Sequence, residues 1–283
     1  RHCAGLGVSR NLVIMPELPE VETTRRGIRD HVRDQQIEQV ILRETRLRWP
    51  ISAQVSTLAG RRIREVSRRG KYILMQLDRG SLIWHLGMSG SMRILPVGSA
   101  AEDHEHVELR LGNGQALKYR DPRRFGALLY CGQDPLQHRL LRQLGPEPLG
   151  EAFDADYLYD RCRNRKAAIK TVLMNSHIVV GVGNIYASEA LFLAGIRPTR
   201  AARRISKPRI EKLVNAVRDT LSAAIAHGGT TLQDFTQADG KPGYFRHELQ
   251  VYANRGECKV CARPIKHLVQ GQRSSYYCPG CQS

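Results

Sequence analysis

Four cysteines near the end of the chain form two C-x2-C pairs that are separated by sixteen residues. This spacing matches a structural zinc ribbon, in which each pair forms a tight turn at one end of a β-hairpin. Four thiolates close the shell around one ion and leave no open position for catalysis. A redox motif would need only one pair and a thioredoxin-like context, which is absent. The sequence predicts one structural Zn²⁺ ion bound by Cys258, Cys261, Cys278 and Cys281.

The chain carries a large excess of positive charge. Its 283 residues include 44 Lys and Arg against 27 Asp and Glu, a net charge of +17. Such an excess favours a polyanionic partner, either nucleic acid or an acidic membrane surface. The most apolar run, residues 178–196, contains Asn184 and Glu189, so a lipid-facing span would bury an unpaired carboxylate. We therefore expect a nucleic acid partner and no membrane.

The seven cysteines also indicate a compartment. An odd number with scattered single residues argues against a secreted disulfide framework and for a reducing environment. The sequence predicts a cytoplasmic protein.

The pattern of apolar residues changes near the middle of the chain. From about residue 37 to residue 130, short runs and alternations separated by turns predict many strands, which favours a β-sandwich or barrel. Two prolines and two glycines in residues 144–150 indicate a linker. Helical spacing follows, most clearly in residues 206–227. We expect an α+β protein with an N-terminal β domain, a helical domain and a small metal module.

Two apolar side chains stand in turns. Phe125 follows a Pro-Arg-Arg turn, and Met88 lies among glycines and serines. Each is either an exposed wedge that enters a base stack or an ordinary core residue, and the pattern leaves both interpretations open.

A third turn, residues 181–184, precedes a predicted helix. Its glycines free backbone amides that would hold a phosphate, with Asn184 as the cap, or it is a simple helix cap.

A set of seven motifs carries a specific resemblance. They are MPELPEVETTRRGI from Met15, HLGMSGSMRI, DPRRFG, VVGVGNIYASEALF, GGTTLQDF, DGKPGYF and the four-cysteine finger with GQR before its third cysteine. In this order they resemble bacterial formamidopyrimidine-DNA glycosylases over nearly the whole chain. The resemblance implies a catalytic β-sandwich domain in residues 15–145, a linker in 146–153, a helix-two-turn-helix DNA-binding domain in 154–245 and a zinc finger hairpin in 246–283.

The resemblance also implies a bifunctional glycosylase and abasic-site lyase that repairs oxidised purines in double-stranded DNA. Pro16 would be the nucleophile that forms a Schiff base, and Glu17 the general acid. Lys71 would assist base loss and β-elimination, and Arg273 would contact phosphate and assist δ-elimination.

We expect the enzyme to act as a monomer. Other positions match the family's DNA-binding residues. Met88, Arg123 and Phe125 would fill the space left by the everted nucleotide. The loop of residues 236–244 would close over 8-oxoguanine. The remaining matches are His104, Lys166 and Asn184.

One feature of the N-terminus conflicts with this chemistry. Pro16 follows fifteen residues, so its nitrogen is a tertiary amide and cannot form an iminium ion. We therefore expect Met15 to be the true start and residues 1–14 to be a non-native extension. The alternatives are an endonuclease VIII-like enzyme for oxidised pyrimidines and, if the extension is retained, a non-catalytic zinc-dependent DNA-binding protein.

Overall fold

The computed structural model describes residues 15–230 and 245–283, and its N-terminal part contains two four-stranded antiparallel sheets. One sheet has the order β1-β6-β7-β5 and the other the order β2-β3-β4-β8. The strands are β1 (Ile37–Leu42), β2 (Ile63–Arg69), β3 (Tyr72–Leu77), β4 (Ser81–His85), β5 (Ser91–Pro96), β6 (Glu105–Leu111), β7 (Gln115–Arg120) and β8 (Ala127–Cys131).

Side chains from both sheets form one apolar core, which includes Trp84 packed against Tyr119. This confirms the expected α+β class with an N-terminal β-sandwich. Six of these eight strands, β1 to β4, β6 and β7, coincide with short apolar runs that the sequence analysis interprets as strands, and β5 and β8 are additional.

The first helix, α1 (Leu18–Val32), contacts both halves of the molecule. Val21, Ile28 and Val32 pack into the sandwich core. At its other end the backbone N–H of Leu18 donates to the carbonyl of Gly181, 3.1 Å away. Because one rigid element contacts both cores, the start of α1 lies at the junction between them.

The second half of the chain is helical, as expected. The helices are α2 (Ala53–Ser56), which lies in the sandwich, and then α3 (Ala155–Cys162), α4 (Ile169–Leu173), α5 (Asn184–Leu193) and α6 (Lys207–Ala226). Buried faces of α3 to α6 share one core. Within the described ranges, no helix is both long and apolar enough to cross a membrane.

The linker region is held by ion pairs. Glu147 accepts hydrogen bonds from the guanidinium groups of Arg68 (2.7 Å) and Arg69 (2.9 Å) and from the backbone N–H of Gly70 (2.7 Å). These contacts fix the turn that precedes Lys71 against the start of the helical half.

A two-stranded hairpin ends the chain. Strands β9 (Lys266–Gln270) and β10 (Arg273–Tyr277) are joined by Gly271 and Gln272, both with positive φ. Two such residues make the tight turn whose twist matches a hairpin. The turn carries Arg273 at the start of β10, and the cysteine pairs flank the two strands.

Candidate active site

The carboxylate of Glu17 lies at the N-terminus of α5. It accepts hydrogen bonds from the backbone N–H groups of Gly183 (2.7 Å), Ile185 (3.0 Å) and Tyr186 (3.4 Å). These amides are therefore used by a side chain of the protein, and the expectation that this turn holds a phosphate is wrong in that respect. Gly183, not Asn184, is the N-cap.

A second buried carboxylate, Glu20, supports the first. It accepts from the backbone N–H of Glu17 (2.9 Å), from the hydroxyl of Tyr186 (2.5 Å) and from the backbone N–H of Thr230 (2.8 Å). Glu20 lies in the first turn of α1, where acidic residues are common, so its sequence position alone does not indicate this role. Its full burial three residues after Glu17 fixes the backbone around Pro16.

Burial and charge shift the pKa values of these groups. Burial raises the pKa of Glu17, an effect that the charge of Lys71 and the amides of α5 only partly oppose. Burial lowers the pKa of Lys71, which Glu17 partly opposes and Arg273 reinforces. The site therefore favours a protonated carboxyl group and a neutral amine more than water does.

Two adjoining cavities share Met15, the first described residue, in their walls. A cavity of about 490 Å³ is lined by Met15, Glu17, Met88, Asn184 and Arg273, among others. A second one of about 200 Å³ has Met15, Lys71 and Arg273 in its wall. Pro16 is buried between Met15 and Glu17. The structure thus brings Glu17, Lys71 and Arg273, which come from three separate parts of the sequence, to the walls of two adjoining cavities, and Pro16 is next to Glu17 in the chain.

The hairpin that carries Arg273 is anchored by a buried lysine. Nζ of Lys170 donates to the carbonyl of Ser274 (3.0 Å) and to the hydroxyl of Ser275 (2.8 Å). Burial lowers the pKa of Lys170 to about 7, the Glu17 charge opposing and the Arg273 charge assisting this shift. Sequence reasoning missed this residue, whose only signal is a lysine inside an apolar helical run.

Asn184 projects from the first position of α5 into the larger cavity. Its amide lies 3.3 Å from the hydroxyl of Tyr252, and burial raises the pKa of this tyrosine to about 12, so the hydroxyl remains a donor. Among the described residues, Oδ1 of Asn184 is buried without a hydrogen-bond partner.

The two apolar turn residues are not core residues. Phe125 is 46% exposed, and the guanidinium of Arg123 lies 5.1 Å from the centre of its ring. Met88 is half-buried and contributes to the wall of a cavity of about 450 Å³ that also includes Phe125. The core interpretation is therefore wrong for Phe125, and Met88 borders the same open space.

Two further predicted DNA-binding residues, like Arg123, do not line these cavities. His104 and Lys166 are both exposed, and His104 has a positive φ of 66°. The structure does not bring them into contact with the residues around Met15. The loop of residues 236–244 and the extension of residues 1–14 lie outside the described residues.

The four predicted zinc ligands form one cluster. Their Sγ atoms all lie within 4.8 Å of one another, with Cys258 and Cys281 at 3.8 Å and Cys261 and Cys278 at 3.3 Å. Bond lengths of about 2.3 Å from zinc to each sulfur fit such a group. The cluster is the shell of one structural zinc ion, as the cysteine spacing predicts.

Comparison with known proteins gives three consecutive domain matches. Residues 15–128 match the formamidopyrimidine-DNA glycosylase N-terminal domain, residues 144–236 match its H2TH domain, and residues 257–283 match the zinc finger found in FPG and IleRS. Curated formamidopyrimidine-DNA glycosylases from Thioalkalivibrio sulfidiphilus and Idiomarina loihiensis are each 54% identical, over 95% of this chain and the full length of those proteins.

Solved structures agree in fold. The MutM (Fpg) protein of Thermus thermophilus is 39% identical with a TM-score of 0.85, covering 94% of this chain and 98% of that one. Lactococcus lactis Fpg in complex with DNA that contains an abasic site is 32% identical with a TM-score of 0.87, covering 94% of this chain and 99% of that one. A mutant of the same Lactococcus protein has been solved with DNA containing Fapy-dG, with a TM-score of 0.88, 31% identity and the same coverage. The chain belongs to the formamidopyrimidine-DNA glycosylase family.

Proposed function

We propose that this protein excises oxidised purines, 8-oxoguanine and formamidopyrimidines, from duplex DNA and then cleaves the strand at the abasic site. The observation that carries the proposal is the buried Glu17 carboxyl, which is held by the amides of α5 directly beside Pro16 in a cavity shared with Arg273. Membership of the family supports the reaction class, and relatives solved with abasic-site or Fapy-dG DNA support the substrate class.

The reaction begins at the nitrogen of Pro16. As a terminal secondary amine it attacks C1′ of the damaged nucleoside, and the bond from C1′ to the base breaks with its electron pair leaving on the base, which takes up the proton that the Pro16 nitrogen loses. The Glu17 carboxyl protonates the ring oxygen as the sugar opens, which leaves an iminium ion between Pro16 and C1′. The raised pKa of Glu17 favours this role because the group retains a proton to higher pH.

Strand cleavage follows from the iminium ion. Loss of a C2′ proton expels the 3′ phosphate, and a second elimination expels the 5′ phosphate; water then hydrolyses the remaining imine. Lys71, whose pKa burial lowers, accepts and returns protons in the first elimination. Arg273 holds phosphate for the second, and the NH₂ group of Asn184 donates to the backbone of the DNA.

Three residues replace the everted nucleotide. Met88 and Phe125 enter the stack, and Arg123 pairs with the orphaned base, which lowers the cost of extrusion. His104 and Lys166 contact phosphates farther from the lesion.

The working form is a monomer that acts in the bacterial cytoplasm on chromosomal DNA. Its parts are the catalytic domain of residues 15–145, the linker 146–153, the DNA-binding domain 154–245 and the finger 246–283. The active form begins at Pro16, since only a terminal proline has the amine that the chemistry needs.

Borohydride trapping tests this proposal. The form beginning at Pro16 and the full 283-residue form are each incubated with a duplex carrying 8-oxoguanine opposite cytosine, and the adduct is mapped by mass spectrometry. We expect a covalent adduct on Pro16 in the short form and none in the full form. Intact duplex binding without an adduct in either form would contradict the proposal, and preferential trapping on thymine glycol would indicate the endonuclease VIII-like alternative.

A further inference from the structure

Asp121 is a fully buried carboxylate outside the catalytic group. It follows β7 and opens the turn that carries Arg123 and Phe125. One oxygen accepts from the hydroxyl of Ser89 (2.6 Å), and the other accepts from the backbone N–H of Gly126 (2.8 Å) and the hydroxyl of Tyr119 (3.2 Å). Hydroxyl and amide donors thus replace the water that burial removes.

These contacts join the two turns that border the cavity. Ser89, the residue after Met88, donates to Asp121 and accepts from the backbone N–H of Arg123 at 3.1 Å. Gly126, the residue after Phe125, donates to the same carboxylate. The network therefore holds Arg123 through its own backbone N–H, and it holds Met88 and Phe125 through the residues that follow them in the chain.

The backbone of Asp121 extends the arrangement to a third segment. Its N–H donates to the carbonyl of His104 (3.0 Å), and its carbonyl accepts from the N–H of Arg124 (3.1 Å) and lies 2.8 Å from the ring of His106. The residue is the common point of contact for three loops that are distant in sequence.

The turn that carries Met88 and the turn that carries Phe125 are also in direct van der Waals contact. A Cβ added at Gly87 would lie 2.3 Å from the backbone nitrogen of Gly126, and one added at Gly126 would lie 1.8 Å from the hydroxyl of Tyr119. Contacts this close leave little room for the two turns to move separately. Met88 and Phe125 are therefore held in fixed positions relative to each other.

We propose that Asp121 is a positioning residue that holds Met88, Arg123 and Phe125 as one preformed wedge for the space left by the everted nucleotide. The inference rests on the proposed function, which assigns those three residues to the wedge. A wedge ordered before binding loses less conformational entropy when it enters the duplex than three independent side chains would. Displacement of a reacting group by about 1 Å costs up to about 100-fold in rate.

The decisive variant is Asp121→Asn, which keeps the size of the side chain and replaces one acceptor by a donor that faces Ser89 or Gly126. The Pro16 form is mixed with an 8-oxoguanine duplex that carries 2-aminopurine beside the opposite cytosine, whose fluorescence rises when the wedge opens the stack. Excision is followed in single turnover, and cleavage of a preformed abasic site is measured in parallel. An abasic nucleotide has no base to unstack, so its cleavage depends less on the wedge.

We expect Asp121→Asn to reduce the fluorescence change and to slow excision about 10- to 100-fold, while abasic-site cleavage falls less than about threefold. Ser89→Ala should give the same pattern with a smaller loss, and it decides the matter if Asp121→Asn does not fold. Asp134→Asn makes the same chemical change at an exposed cap and is the control. It should behave as the wild type.

Three results would overturn the inference. These are an unchanged fluorescence signal in Asp121→Asn, an equal loss of excision and abasic-site cleavage, and an equal effect of Asp134→Asn. If the wild-type Pro16 form itself removes no base, the proposed function fails, and the fluorescence change on binding still tests the positioning of the wedge.

Discussion

At the scale of single residues, the site depends on opposing influences on Glu17. Three backbone amides at the N-terminus of α5 favour its ionised form, whereas burial favours its neutral form. Burial dominates, because the pKa of Glu17 is raised. The amides therefore fix the position of the carboxyl group, and burial keeps it available as an acid.

Gly183 makes this position possible, and Gly183→Ala tests it. A Cβ at residue 183 would lie 2.2 Å from Cδ of Glu17, which cannot retreat because its oxygens are held by amides. We expect excision to fall about 100-fold and the stability of the fold to fall by about 1 to 3 kcal/mol. Single-turnover excision and thermal unfolding measure the two effects.

Gly132→Ala is the matched control, because the nearest atom to an added Cβ there lies at 3.9 Å on an exposed turn. Wild-type excision by Gly183→Ala would mean that Glu17 does not act from the position described.

At the scale of elements, α1 is joined to the sandwich by a charge network around Glu22. Its carboxylate binds the guanidinium groups of Arg25, Arg26 and Arg68, the last on β2. Burial alone would raise the pKa of Glu22, but hydrogen bonds from Arg25 and Arg26 and the charges of Arg25 and Arg68 outweigh it and lower the pKa to about 2. The network fixes the helix that begins beside the catalytic residues.

Glu22→Gln tests this coupling through its pH dependence. A depressed pKa contributes stability above the unfolded-state value, near 4.5, and the contribution disappears as pH falls from there to about 2. We expect the variant to lose about 2 to 3 kcal/mol at neutral pH and to approach the wild type as the solution is acidified. Thermal unfolding midpoints across this range measure the difference.

Glu38→Gln, an exposed residue on β1, should differ little from the wild type at any pH. A loss for Glu22→Gln that stays constant down to pH about 3 would contradict the assigned ion pairs.

Much of this element structure follows from local sequence. Six of the eight strands of the sandwich, the helices α3 to α6 and the cysteine hairpin could be predicted because apolar period and ligand spacing are local signals. The pairing of Glu17 with Gly183 could not, since it joins residues far apart in sequence through packing. For the same reason the turn of residues 181–184 suggested a phosphate site, and Asp121 and Lys170 gave no signal of their contacts.

At the scale of the whole molecule, residues from the sandwich, the helical core and the finger all border the cavity at Met15. The finger contributes Arg273, whose hairpin contains few buried apolar residues and is held by the cysteine cluster and by Lys170. Structural zinc contributes about 10 to 16 kcal/mol of binding free energy in small fingers, which is comparable to the stability of a whole domain. The order of Arg273 therefore depends on the metal more than on the hairpin's own packing.

Cys278→Ser should release this hairpin while the other cores remain folded. We expect its zinc content to fall from one ion per chain towards none, the duplex cleavage rate to fall at least about tenfold, and trypsin to cut at Lys266 and Arg273 faster than in the wild type. Cys131→Ser is the control, because Cys131 lies outside the cluster and its thiol donates to the carbonyl of Gln133, at 3.5 Å. Full cleavage activity in a zinc-free Cys278→Ser protein would contradict the dependence of Arg273 on the metal, and zinc loss in Cys131→Ser would contradict the assigned ligands.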